Sequence, residues 1–116
     1  MLISSLKNQE KFDLVNKYGS KFHSRSFLAV VARNFSQIPS NSPNTIFLGM
    51  KVNKKLGNAV TRNKIKRRIR HLIRSLSKNP RFSEGITSTI IVPRKGFEKV
   101  IFTSLTNEFE KILLLP

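Results

Sequence analysis

At 116 residues the chain has room for one domain, Met1–Pro116, with one modest core. Its 22 Lys and Arg against 6 Asp and Glu give a formal charge of +16, more than solubility requires and self-repelling, so a polyanionic partner is expected. The absence of cysteine excludes disulfides, thiolate metal sites and cysteine nucleophiles, and it fits a reducing compartment.

Taken in chain order, Gln9 to about Lys17 predicts a short helix, with Phe12 and Val15 at helical spacing, Asn8 as its N-cap and Tyr18-Gly19 as its stop. Lys21 to Arg33 alternates and then becomes continuously apolar from Phe27 to Ala32, which predicts one strand with a buried middle. From Asn34 to Asn44 the residues Ser36, Pro39, Ser40, Asn41, Ser42 and Pro43 predict a loop. Thr45 to Val52 resumes strand character, with Ile46, Leu48 and Met50 on one face and Phe47, Gly49 and Lys51 on the other. Gly57-Asn58 breaks that pattern, and a long helix is expected from Ala59 to about Lys78, ended by Asn79-Pro80. On it Ile65, Ile69, Leu72, Ile73 and Leu76 form a stripe about 100° wide, suited to docking on a sheet. Gly85 to Arg94 predicts a strand buried on both faces through Ile90-Ile91-Val92. Phe97 to Leu115 predicts a final helix carrying Val100, Ile101, Leu105, Phe109, Ile112 and Leu113. The fold class expected is α+β, a two-layer arrangement of a sheet covered by helices.

Side-chain chemistry is thin. His23 and His71 are the only histidines and have no metal-ligand spacing, the carboxylates lie near the two ends of the chain, and no Gly-rich phosphate loop occurs. Neither a catalytic residue nor a protein-held metal is expected. No segment has the roughly 18 apolar residues of a membrane span or the apolar core of a signal peptide, so a cytoplasmic protein without membrane attachment is expected.

The charge is concentrated. No acid occurs between Asp13 and Glu84, an interval that holds 16 cations, and ten of the 22 lie between Lys51 and Arg74. A solvated face is the plainer reading of an isolated charge run, but one rod presenting Arg forks and Lys point charges at several azimuths suits phosphates. Asn58 and Asn63 stand at the helix entrance, where backbone N–H groups and the dipole also favour an anion. Exposed rings beside a positive groove could stack bases, and Phe12, Phe22, Phe27, Phe35 and Phe47 are the candidates in the N-terminal half, most of them expected in the core.

The run KKLGNAVTRNKIKRRIR, Lys54 to Arg70, resembles the signature of the bacterial ribonuclease P protein family, with Lys64 in place of the commoner Arg. Other features of that family follow in order: Leu6, Lys7 and Phe12, then Tyr18-Gly19, Arg25 and Phe27, and the strand end Ile90, Ile91, Arg94 and Lys95. The resemblance covers nearly the whole chain. It implies an α/β sandwich similar to a ribosomal protein and elongation-factor domain, with a mixed sheet of about four strands and a left-handed βαβ crossover. It implies a subunit of a ribonucleoprotein, one protein with one RNA, whose catalytic RNA removes the 5′ leader of precursor tRNA in a Mg²⁺-dependent hydrolysis. By resemblance Arg62, Asn63, Lys64, Lys66, Arg67 and Arg70 meet the catalytic RNA, with Lys54, Lys55 and Asn58 on the approach. Phe12, Arg25, Phe47 and Lys51 are the corresponding candidates for the leader cleft. Asn16 and Val30 stand where the family often has further aromatics, so leader stacking is expected to be weaker or differently placed. The competing readings are a ribosomal or general RNA-binding protein of the same fold, and an autonomous nuclease.

Overall fold

The structure, a computed structural model, describes residues 2–6, 9–33, 45–79, 81–82 and 86–114, with Leu2, Thr45 and Thr87 as backbone only. The elements are β1 (Leu2–Ser5), α1 (Gln9–Tyr18), β2 (Ser20–His23), β3 (Phe27–Arg33), β4 (Thr45–Met50), α2 (Ala59–Ser77), β5 (Ile86–Pro93) and α3 (Phe102–Leu113). Single 3-10 turns at Lys54–Leu56 and Phe97–Lys99 precede α2 and α3. The expected Asn8 cap and the Asn34 to Asn44 loop lie outside the described residues.

The strands form one mixed sheet in the order β1-β4-β5-β3-β2. β4 lies parallel to both β1 and β5, while β3 runs antiparallel to β5 and to β2. β5 is central, which accounts for its unbroken apolar run: Ile90 and Ile91 point to opposite faces and both are fully buried. The parallel neighbours β4 and β5 are joined through α2 as a βαβ unit.

Helices cover the two faces unequally. On one face Phe27, Ala29, Val31, Ile46, Leu48 and Ile91 meet the expected stripe of α2 and, from α3, Leu105, Phe109 and Leu113. On the other, α1 supplies Val15 over Val30, Ala32 and Ile90, and leaves Phe12, Leu14, Phe47 and Val92 only partly buried. The α+β class therefore holds, and α1 adds a partial layer on the second face.

Three expectations are corrected. The sheet has five strands rather than about four, because Leu2–Ser5, too short to show a pattern, pairs with β4 from Leu2↔Thr45 to Ser5↔Leu48. Lys21 to Arg33 is a hairpin: it turns at Ser24–Ser26, where the Ser24 N–H donates to the Phe27 carbonyl at 2.8 Å. The last helix begins at Phe102, not Phe97, because the Arg68 guanidinium takes the Phe97 carbonyl at 2.7 Å and the Val100 carbonyl as well. In a continuous helix those two acceptors would receive the N–H groups four residues on. Ile101, expected in the apolar stripe, is consequently 73% exposed.

Candidate nucleic-acid interface

The approach to α2 is built residue by residue. The Asn53 side chain accepts the Lys55 N–H at 3.0 Å and closes the first 3-10 turn, leaving Lys54 and Lys55 exposed. Gly57 follows at φ 139°, a left-handed value that a side chain resists, and a Cβ there would meet Thr61 Cγ2 at 2.9 Å. Asn58 then caps the helix, its Oδ1 accepting the Thr61 N–H at 2.9 Å. The KKLGNAVT string thus has a local structural reason at Gly57 and Asn58 beside any role toward a ligand.

Five fully or nearly buried residues, Ile65, Ile69, Leu72, Ile73 and Leu76, pin one side of α2 to the sheet and so fix where every cation on it points. Asn63, Lys64, Arg67 and Arg70 are exposed, and Arg62 and Lys66 are half-buried at the flanks. Val60, Asn63, Arg67 and Arg70 line an open groove of about 390 Å³. Val60 is 75% exposed in the first turn, an apolar surface beside the cations. The Arg62 Nε, buried near the helix entrance, has no hydrogen-bond partner among the described residues. Of the nine candidates, Lys54 and Lys55 lie on the 3-10 turn, Asn58 caps α2, and Arg62, Asn63, Lys64, Lys66, Arg67 and Arg70 lie on α2 itself.

Arg68 differs from its neighbours. It bonds the carbonyls at the start of the α3 segment, and its guanidinium lies 6.0 Å from the Phe97 ring centroid and 5.7 Å from that of Phe102. Burial lowers its pKa, an effect opposed by Glu98. This cation locks α2 to α3 and is not part of the free surface.

The cleft candidates divide. Phe12 and Phe47 share the α1 face of the sheet, half-buried against one small core, and Lys51 is exposed just past the end of β4. Gly49 lets Phe12 lie directly on the strand, since a Cβ there would meet Phe12 Cζ at 2.7 Å. Lys11 holds its ammonium 5.7 Å from the Phe47 ring centroid, a cation that sequence reasoning omitted. Arg25 stands apart on the β2–β3 turn. That turn is tied to α3, where the Glu108 carboxylate accepts Ser24 Oγ at 2.6 Å, the Ser26 N–H at 2.9 Å and Ser26 Oγ at 2.7 Å. Arg94 links the turn to the end of β5, its Nε donating to the Ser24 carbonyl at 3.2 Å. Arg25 lies just before β3, Arg94 just after β5 and Lys51 just after β4, so the three mark the same end of the sheet. The Ile-Ile-x-x-Arg-Lys strand end was the available signal for Arg94.

Among the described residues no three His, Cys, Asp or Glu side chains converge on a possible metal site. No helix among them is long and apolar enough to cross a membrane. A basic α+β domain that holds a cation-studded helix rigidly on a sheet is a binding module for polyanions.

Comparison with known proteins narrows that class. The Ribonuclease P family model matches residues 3–115. The ribonuclease P protein component of Rickettsia akari is 51% identical over 115 residues, 98% of each chain, and that of Rickettsia canadensis is 50% identical over the same extent. Among solved structures, the RNase P protein of Staphylococcus aureus superimposes with a TM-score of 0.71 at 28% identity, covering 93% of this chain and 90% of that one. The RNase P protein of Thermotoga maritima gives 0.73 at 25% identity, covering 95% and 94%. The chain belongs to the ribonuclease P protein family.

Proposed function

We propose that this chain is the protein component of ribonuclease P, a cytoplasmic ribonucleoprotein in which one copy binds one catalytic RNA and helps it remove the 5′ leader of precursor tRNA. The observation that carries the reading is the α2 flank, where Asn63, Arg67 and Arg70 form an exposed groove on a helix whose other side is buried. Because the buried side already fixes the helix, association with phosphates orders side chains there but not main chain. Lys54 and Lys55 extend the groove along the approach, and Phe12 and Phe47 offer the α1 face to the leader, with Lys51 just past the end of β4. Hydrolysis belongs to the RNA subunit and its Mg²⁺, and no step is assigned to a side chain of this protein.

The test adds the protein to a bacterial ribonuclease P RNA and precursor tRNA at low Mg²⁺. Leader removal accelerates if the reading is right, and an unchanged rate overturns it. The protein with precursor tRNA alone leaves the leader in place. Specific cleavage in that arm would make the chain an autonomous nuclease.

A further inference from the structure

The groove on α2 does not stop at Arg70. That residue also lines a second groove, of about 210 Å³, with Arg74, Ile3, Ser4, Ser5, Leu48 and Met50. One wall of it is α2 and the other is β1, the outermost strand of the sheet. On its inner side β1 pairs with β4, and the Leu6 N–H continues the ladder to the Leu48 carbonyl at 3.0 Å. Main-chain groups alternate in direction along a strand, so if Leu6 faces β4, Ile3 and Ser5 turn theirs outward, beside Arg70 and Arg74.

We propose that a single strand of RNA runs along this trough, from Asn63 and Arg67 at the head of α2 to Arg74 and the outer edge of β1. The proposal rests on the ribonuclease P reading and assigns the catalytic RNA a second stretch of contact, with Arg74, Ser4 and Ser5 as its new residues. From Asn63 to Arg74 the helix rises about 17 Å, room for several nucleotides. Arg67, Arg70 and Arg74 recur every three or four residues and form one cationic row on that flank. The opposite wall supplies hydroxyls and main-chain N–H groups, donors suited to phosphate oxygens, and carbonyls that can accept from ribose 2′-hydroxyls.

Charge selects RNA over a peptide strand added to the β1 edge. The described acids Glu10 and Asp13 lie on α1, Glu98 on the second 3-10 turn, and Glu108 and Glu110 on α3. None lines either groove, so no carboxylate among the described residues offsets the cations of the trough. Exposed cationic side chains opposite a polar edge favour a ligand that carries a negative charge at each repeat.

Arg74→Ala and Ser5→Glu test the trough, with Arg67→Ala as the reference for the α2 face. Each is titrated against a bacterial ribonuclease P RNA over a range of salt, beside its melting temperature. Arg74→Ala is expected to bind several-fold more weakly and to flatten the plot of log affinity against log salt by about 0.7–0.9, one phosphate contact. Ser5→Glu, which adds a repelling charge to the edge, is expected to weaken binding by a similar factor. If Arg67→Ala weakens binding while the other two bind like the parent, the trough is empty of RNA and the proposal falls, with the ribonuclease P reading intact. If all three bind like the parent, the RNA face on α2 is itself wrong. Where Ser5→Glu lowers the melting temperature, Arg74→Glu on the exposed helix surface replaces it, and parent-like affinity there overturns the trough.

Discussion

The two faces of the sheet are built to different standards of closure. Under α2 and α3, Phe27, Phe97 and Phe109 form an aromatic cluster, with Phe109 4.3 Å and Phe97 6.5 Å from Phe27 between ring centroids. All three are essentially buried. Under α1 the core is five residues, and the two phenylalanines beside it, Phe12 and Phe47, keep part of their rings in solvent. The closed face holds the cationic helix in one orientation; the open one leaves aromatic surface that a base can reach. A chain with so little core can expose rings on one side because the other side carries most of the burial.

Phe109→Ala should break the closed face most severely. Truncating a fully buried Phe costs about 3–5 kcal/mol, a large fraction of the stability of a small domain. Urea unfolding measures this directly. At temperatures where the variant stays folded its RNA affinity should match the parent, because Phe109 is fully buried in the core and outside both α2 grooves. A specific loss of affinity in the folded variant would mean that the closed face does more than support α2.

The open face predicts a smaller and conditional effect. A methyl at position 49 would sit 2.7 Å from Phe12 Cζ and 3.2 Å from Ile90 Cγ1. Gly49→Ala should therefore cost about 1–3 kcal/mol by overpacking, and most of that cost should vanish when Phe12 is also truncated to Ala. A double-mutant cycle in urea reads the coupling. Additive costs would show that Phe12 moves aside freely and that the face is looser than its contacts indicate. The same cycle, read as preference for precursor over mature tRNA, shows whether Phe12 serves the leader or only the core.

Periodicity made the closed face legible. Ile65, Ile69, Leu72, Ile73 and Leu76 recur at helical spacing, and their burial follows from it. The cation flank was legible for the same reason, since residues off a buried stripe must face elsewhere. What escaped was decided over long range. β1 is four residues long and becomes a strand only through β4, so its groove with Arg74 had no local signal. The β2–β3 turn depends on Glu108, 82 residues from Ser26, and the delayed start of α3 depends on Arg68, 29 residues from Phe97. Arg68 shows the limit of composition: it adds to the basic run in sequence, yet its donors are spent inside the fold.

Glu108 gives the smallest and most specific prediction, because it ties the closed face to the rim that carries Arg25. Burial raises its pKa, but the hydrogen bonds from Ser24 and Ser26 and from the Ser26 and Arg25 backbone outweigh burial and hold it below its ordinary value of 4.5. Glu108→Gln keeps the shape but replaces one acceptor oxygen by an amide that faces donors. For this partly exposed site the expected loss is about 1 kcal/mol. A carboxylate with a depressed folded pKa stabilises fully above its unfolded value and loses that contribution as pH falls through the folded one. The difference in melting temperature between parent and Glu108→Gln should thus stay constant from about pH 8 to about pH 5 and close in stronger acid. A gap that persists there would mean that the side chain acts by shape rather than charge, and the turn would then owe its position to Arg94 and the strand pairing.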